Sequence, residues 1–295
     1  MNKGLVTIAG LVILIGIAAA VTWPRLQLPE RVRIVICDIG QGDAILIQAS
    51  GHYDLLIDGG PNRQVLSCLG KYLGFWDRQV ELLVATHPDA DHSTGLALVA
   101  EQYQISQILW TNLESSTLGY QALQQLVAEQ PIAATVAVAG QQWPVGPATM
   151  DILWPLTDLT GQRPKSTNNT SIVSRVVFDS VAIMLTGDAE IPVEQELLRR
   201  YPVASLQSTM LKVGHHGSKS STTAAWLAVV KPTWALISVG AKNRYGHPTA
   251  AVLARLAASG AEVRRTDQQG DIVLMTDGQT VRDCSAGLDF FCWWW

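Results

Sequence analysis

Residues 80 to 86 read VELLVAT, and HPDADH follows with no spacer. A continuous apolar run of strand length suits a strand covered on both faces. The chain carrying it is therefore expected to fold in layers, with sheets held between helices. The same run delivers the backbone straight into His87, Asp89, Asp91 and His92. A tight loop over 87–92, at the carboxyl end of a buried strand, can aim such side chains into a common cleft.

The alternation continues along the chain. RVRIVICDI, DAILIQAS and YDLLID read as strands, and QVLSCLGKYLG reads as a helix. After VELLVAT come a helix (GLALVAEQY), a strand (QILW), a helix (YQALQQLVAEQ) and a strand (ATMDILWP). TDLTGQRPKSTNNTS is polar and turn-rich, as a surface loop would be. IVSRVVFDSVAIMLTGD predicts a hairpin turning at Asp179-Ser180. PVEQELLRRY, TAAWLAVV and AAVLARLAASG are helical, while STMLKVG, WALISVG, AEVRRTD and DIVLMTD are strand-like. No internal repeat interrupts this pattern.

The chain has 295 residues, 48% hydrophobic and 16% charged, which describes a globular protein and not a disordered one. Its net charge of -4 argues against tight, salt-driven nucleic-acid binding. An enzyme can still approach phosphodiesters if bound cations supply the positive charge. The N-terminus stands apart, with no charge between Leu5 and Trp23. As a helix that stretch would reach roughly 28 Å, close to a bilayer core of about 30 Å. Residues 1–23 are expected to form a membrane anchor or, cut near Ala18–Ala20, a signal peptide. Residues 24–31 form a linker. Lys3 lies upstream of the stretch and Arg25, Arg31 and Arg33 downstream, so charge does not decide sidedness. Cys37 and Cys68 read as small buried residues. Cys284 and Cys292, in a Cys- and Trp-rich tail over 284–295, could close a disulfide loop of the kind found in exported proteins.

The chemistry rests on clustering. His87 and Asp89 could serve one ion, and Asp91 and His92 a second. A salt-bridged loop would not need four such residues in six positions. Asp188, in MLTGD, could bridge two ions or cap the next helix. His215 and His216 follow STMLKVG, and His247 follows WALISVG. Five of six histidines thus fall after apolar strands, and only His52 reads as an ordinary surface turn.

Several ordered motifs carry a resemblance: DIGQGDAILI, LLIDGG, THPDADHSTG, NNTSIV, LTGDAE, LKVGHHGSKSST, SVGAKNRYGHP and RTDQQGDIV. From about Ile34 to Asp277 the chain resembles the metallo-β-lactamase superfamily, and within it the hydrolase domain of ComEC-type DNA-uptake (competence) proteins. The resemblance implies an αβ/βα four-layer sandwich over residues 32–283, with metals at one rim of the sheets. It makes His87 and Asp89 ligands of a first ion, Asp91 and His92 of a second, Asp188 the bridging carboxylate and His216 the last ligand. Asp58 would orient the ligand loop, with Asn169 behind it. His215 and His247 would act beside Asp91 in catalysis, and Asn243, Lys219 and Ser218 would touch substrate. Two departures matter: Asp89 stands where the wider superfamily has His, and Asn168 and Asn169 occupy the stretch where a further His would lie. Oxygen thus replaces nitrogen, so zinc and manganese both suit the two sites, and a single bound ion is an alternative. The expected activity is hydrolysis of a phosphodiester, with DNA outside the cytoplasm as candidate substrate, by water that a metal ion has deprotonated near neutral pH. The protein would be membrane-anchored with its hydrolase domain extracytoplasmic, or secreted if the leader is cleaved, and DNA-uptake channel proteins are its candidate partners. The rival readings are hydrolysis of a lactam, a thioester or a cell-envelope phosphoester, and a non-catalytic metal-containing component of an uptake machine.

Overall fold

The computed structural model describes residues 30–286. The expected anchor over residues 1–23 and most of the linker lie outside these residues, as does Cys292 and hence the suggested pair with Cys284. Among the described residues no helix is long and apolar enough to cross a membrane.

Two sheets form the centre. The first runs through β1 (Val32–Ile36), β2 (Ile45–Ala49), β3 (Tyr53–Ile57), β4 (Gln79–Ala85), β5 (Gln104–Trp110) and β6 (Ala133–Val136). It is completed on the other side of β1 by β14 (Ile272–Thr276) and β15 (Val281–Asp283), in the order β15-β14-β1-β2-β3-β4-β5-β6. The second is built from β7 (Gln142–Val145), β8 (Ala148–Trp154), β9 (Val173–Phe178), β10 (Val181–Leu185), β11 (Met210–Lys212), β12 (Trp234–Ile237) and β13 (Glu262–Arg265), in the order β13-β12-β11-β10-β9-β8-β7. The predicted hairpin is β9–β10, with Asp179 in the left-handed region at φ 50°.

Side-chain alternation produces the layers. On β4, Leu82 and Val84 face the second sheet, where they meet a core that includes Ile34, Ile47, Met150, Val176 and Ile183. Leu83 and Ala85 point the other way, into a core shared with α1 (Gln64–Tyr72), α2 (Ala90–Gln102) and α3 (Leu118–Glu129). The outer face of the second sheet packs against α4 (Ile191–Arg200), α6 (Ala224–Val230) and α7 (Ala250–Ser259), with Trp226 fully buried among them. Two short helices, α5 (Val203–Leu206) and α8 (Thr266–Gln269), complete the set. The result is helix, sheet, sheet, helix, as the apolar runs required.

Four sequence expectations need correction. Residues 87–92 are not wholly loop: α2 begins at Ala90, so Asp91 and His92 lie in its first turn. An acidic residue there is favoured by the unpaired N–H groups and the helix dipole. Asp188 does not cap α4, whose N-cap position is Glu190, followed by Pro192 in the first turn. Cys37 and Cys68 are buried but not independent, because they form a disulfide with Cα atoms 6.0 Å apart. Strands β6, β7 and β15 join the expected set; β6 and β7 are edges, and β7 tolerates Pro144 for that reason.

Candidate metal centre

The loops that follow β1, β3 and β4 meet those that follow β10, β11 and β12 at one rim of the sandwich. Backbone geometry brings them close. Gly42 adopts φ 123°, and a Cβ there would stand 1.9 Å from the Asp91 carbonyl oxygen. Gly95 lets α2 approach the turn after β3, where a Cβ would meet the Gly59 carbonyl oxygen at 1.9 Å. His215 and His216 both occupy the left-handed region, at φ 47° and 52°. Each such conformation is costly for a residue with a Cβ, and such strain collects at functional sites. The turn sends His216 inward, where it is buried, and leaves the His215 side chain 23% exposed.

Four predicted residues converge, and His87 stands beside them. Asp91, His92, Asp188 and His216 each present a ligand atom, all within 4.8 Å of one another. His92 Nε2 lies 3.2 Å from Asp188 Oδ1 and 3.3 Å from His216 Nε2. His216 Nε2 is 3.5 Å from Asp188 Oδ1 and 3.6 Å from Asp91 Oδ2. His87 packs beside His92 with ring centroids 4.2 Å apart, and its Nε2 has no hydrogen-bond partner although fully buried. Asp89 sits further out: Oδ2 is 3.8 Å from His87 Nε2, while Oδ1 accepts a 2.6 Å hydrogen bond from Thr167.

The surrounding hydrogen bonds fix the tautomers. Asp58 accepts from the Thr86 backbone N–H at 2.8 Å, from the Thr86 hydroxyl at 2.7 Å and from His92 Nδ1 at 2.7 Å. The Thr86 oxygen, its own proton given to Asp58, accepts from His87 Nδ1 at 3.0 Å. His216 Nδ1 donates to the Ser238 carbonyl at 2.9 Å. With Nδ1 protonated in all three rings, Nε2 is the nitrogen left to face inward, where a metal ion can take the place of a proton. Two Nε2 atoms and two carboxylates meet at one point, with the unpartnered His87 Nε2 and Asp89 beside them, so the residues present fit a bound metal.

The carboxylates that would draw a metal ion also draw protons onto two of these rings. For His92, burial lowers the pKa but is outweighed by Asp188 and Asp58, leaving it well above the ordinary imidazole value. For His216, burial is outweighed by Asp188 and Asp43. Asp188 lies well below the usual carboxylate range, since His216 and His92 overcome its burial. His87 is pushed down, first by burial and then by His92, and stays neutral. The buried pocket is thus rich in negative charge.

Two buried charges escaped the sequence reading. Lys212, on β11, is fully buried, with Nζ 2.8 Å from Asp43 Oδ2 and 3.0 Å from the Val213 carbonyl. Asp43 also faces His216 Nδ1 at 3.4 Å, behind the ring. Asp43 lies within the DIGQGD motif, but only the fold reveals its ammonium partner.

The remaining predicted residues are more dispersed. His215 Nε2 is 3.7 Å from Asp188 Oδ2, and its Nδ1 is 3.4 Å from Glu190 Oε1. Asn169 accepts from the Glu190 backbone N–H at 3.1 Å and so supports His215 and not the buried histidines. His247 stands against His215, with centroids 5.6 Å apart. Ser218 is buried with its hydroxyl 2.9 Å from that of Ser220, and Lys219 is exposed. The Asn243 amide bonds the carbonyls of Gly240 and His247, and its oxygen accepts from the His247 N–H.

The sequence pattern of the metallo-beta-lactamase superfamily matches residues 37–240, which take in this whole ligand set. The chain belongs to that superfamily. It is 30% identical over 252 residues to ComE operon protein 3 of Bacillus subtilis, covering 80% of this chain and 32% of that protein. It is 29% identical over 258 residues to competence protein ComA of Neisseria gonorrhoeae, covering 86% and 34%. The chain thus spans about a third of the length of these relatives. Among solved structures, the metallo-beta-lactamase fold protein YhfI from Bacillus subtilis superposes with a TM-score of 0.57 at 14% identity, covering 84% of this chain and all of that one. Zinc-bound PqqB from Methylobacterium extorquens gives 0.51 at 11% identity over 82% of this chain and 99% of that one. At these identities the superpositions establish the superfamily fold.

Proposed function

We propose that this superfamily member is a metal-dependent phosphodiesterase holding two divalent ions, zinc or manganese, with extracytoplasmic DNA as substrate. The observation that carries the reading is the meeting of His92 and His216 Nε2 with the carboxylates of Asp91 and Asp188, with the unpartnered His87 Nε2 beside them. The ComEC-like motifs and the competence relatives favour a nucleic-acid phosphodiester over a lactam or thioester. The buried Cys37–Cys68 disulfide favours an oxidising compartment, in keeping with an anchor or leader over residues 1–23.

His92, His216, Asp91 and Asp188 would hold one ion, and His87 with Asp89 would help hold the other, with Asp188 between them. Bound metal supplies Lewis acidity, lowering the pKa of water toward about 7 and offsetting charge on phosphoryl oxygens. The protein's part is positioning. Asp58 holds His92 directly and His87 through Thr86, fixing Nδ1 as the outward nitrogen of both rings without touching substrate. Asp91, its side chain 31% exposed, reaches the cleft and can orient an attacking water and accept its proton. His215 and His247 line the mouth, where they can hydrogen-bond the phosphoryl group. Burial, then His215 and His216, push the His247 pKa down, so it meets substrate as a neutral donor.

The test is elemental analysis of purified protein, followed by cleavage of a short single-stranded DNA and of bis-para-nitrophenyl phosphate with zinc or manganese. The expected result is bound metal and turnover of both substrates, abolished in His92→Ala and Asp188→Ala. A metal-loaded protein that cleaves neither substrate refutes the reading.

A further inference from the structure

The loop 241–247 after β12 carries residues that the metal chemistry does not use. Its sequence is AKNRYGH, and Lys242, Arg244 and Tyr245 are all exposed. Tyr245 keeps 59% of its surface in contact with solvent, one of few large apolar side chains among the described residues to do so.

The loop is held firmly. Asn243 makes three hydrogen bonds across it, of 2.8, 2.8 and 3.0 Å, to the backbone of Gly240 and His247. Its root is part of the metal rim: Ser238 accepts from His216, and the Gly240 backbone lies against Gln41, where a Cβ would meet the Gln41 nitrogen at 3.0 Å. The aromatic rings then form a continuous path outward from the cluster. His215 Nε2 lies 3.7 Å from Asp188, His247 packs edge-on to His215 at 5.6 Å, and Tyr245 lies nearly parallel to His247 at 5.8 Å and 25°. An aromatic ring exposed to water next to two exposed cationic residues in the chain, on a pinned loop at the mouth of a hydrolytic cleft, is what a strand of unpaired nucleotides requires. Bases stack on the ring while cations follow the backbone.

Building on the phosphodiesterase reading, we propose that the 241–247 loop is a binding site for single-stranded nucleic acid, in which Tyr245 stacks a base flanking the scissile phosphate and Lys242 and Arg244 contact neighbouring phosphates. The acidic net charge of the chain is no obstacle, because the cations are local to the rim. A small lactam or thioester would have no use for this surface.

The test measures binding by fluorescence anisotropy, using the full chain and cleavage-resistant phosphorothioate oligothymidylate. A matched strand with an abasic stretch and an oligouridylate of equal length serve as comparisons. Tyr245→Ala should weaken oligothymidylate binding about 5- to 150-fold, the loss of one stacked base. Tyr245→Trp should restore it, and the abasic strand should bind wild type and Tyr245→Ala alike. Lys242→Ala with Arg244→Ala should weaken every strand and flatten the salt dependence by about 0.7 per lost contact. An equal fall on oligouridylate extends the ligand class to RNA, and a fall confined to oligothymidylate assigns it to DNA. The proposal is overturned if Tyr245→Ala binds oligothymidylate as tightly as wild type, or loses the abasic strand equally. Failure of wild type to turn over bis-para-nitrophenyl phosphate would instead count against the hydrolase reading, independently of the stacking result.

Discussion

Replacing Asp58 by Asn exchanges one carboxylate oxygen for an NH2 group at almost constant volume, yet it should disable the metal centre. Asp58 accepts three hydrogen bonds, two from Thr86 and one from His92 Nδ1. An amide has two possible orientations there. With NH2 toward the Thr86 backbone N–H, two donors collide and a buried N–H loses its partner, at about 1–3 kcal/mol. With NH2 toward Thr86 Oγ1 and His92 Nδ1, both must accept. His92 then carries its proton on Nε2, and the Thr86 proton turns toward His87 Nδ1, driving that ring the same way. Two inward lone pairs are lost through one atom. Removing an outer partner of a metal ligand ordinarily costs 10–100-fold in affinity, about 1.4–2.8 kcal/mol; the double inversion puts Asp58→Asn at the upper end. The assay is competition for zinc or manganese against a chelating dye at fixed pH, with circular dichroism to establish that the variant is folded. A folded Asp58→Asn protein with metal affinity within twofold of wild type would refute the tautomer argument.

Three other outcomes are expected. Lys212→Met leaves Asp43 charged and buried without its ammonium, which should cost about 3–5 kcal/mol and lower the thermal midpoint by about 6–20 °C, with Asp43→Asn in the same chain recovering much of the loss. Asp54 has its pKa raised to about 6, chiefly by burial and also by Asp77 and Glu81, so it favours the folded state while protonated; that contribution is complete below about pH 4 and fades as pH rises to about 6. Asp54→Asn should therefore match wild type near pH 4 and exceed it above pH 6 by up to about 3 kcal/mol in urea titrations, and a gap independent of pH would show the assignment wrong. Replacing both Cys37 and Cys68 by Ala opens a link across 31 residues, with an expected loss of about 3–4 kcal/mol in the same titrations, and no change in midpoint would contradict it.

The buried strands and the ligand loops were legible because each encodes itself locally. VELLVAT is apolar whichever way it faces, and HPDADH is too dense in donors to pass for an ordinary turn. What was not legible depends on contacts between distant segments. Lys212 reads as one polar residue in STMLKVG, and nothing nearby reveals that its partner is Asp43 in the loop between β1 and β2. Cys37 and Cys68 each sit in an apolar element, where a thiol is unremarked until β1 and α1 are packed together. The start of α2 was placed too late because Asp and His look like loop residues, although the first helical turn welcomes a carboxylate. The edge strands β6 and β7 were missed because Ala-Ala-Thr-Val and Gln-Trp-Pro-Val lack the apolar signature that burial imposes on interior strands.

The ligand set is divided between the two halves of the sandwich: Asp91 and His92 follow a strand of the first sheet, Asp188 and His216 follow strands of the second. Neither half can close a coordination shell alone. A cation at this seam would act as a rivet, tying the rims together and making removal of the ion a mechanical event as well as a chemical one. Amide exchange in the 86–92 and 213–217 segments should then quicken together when a chelator is added, far more than in the core between the sheets.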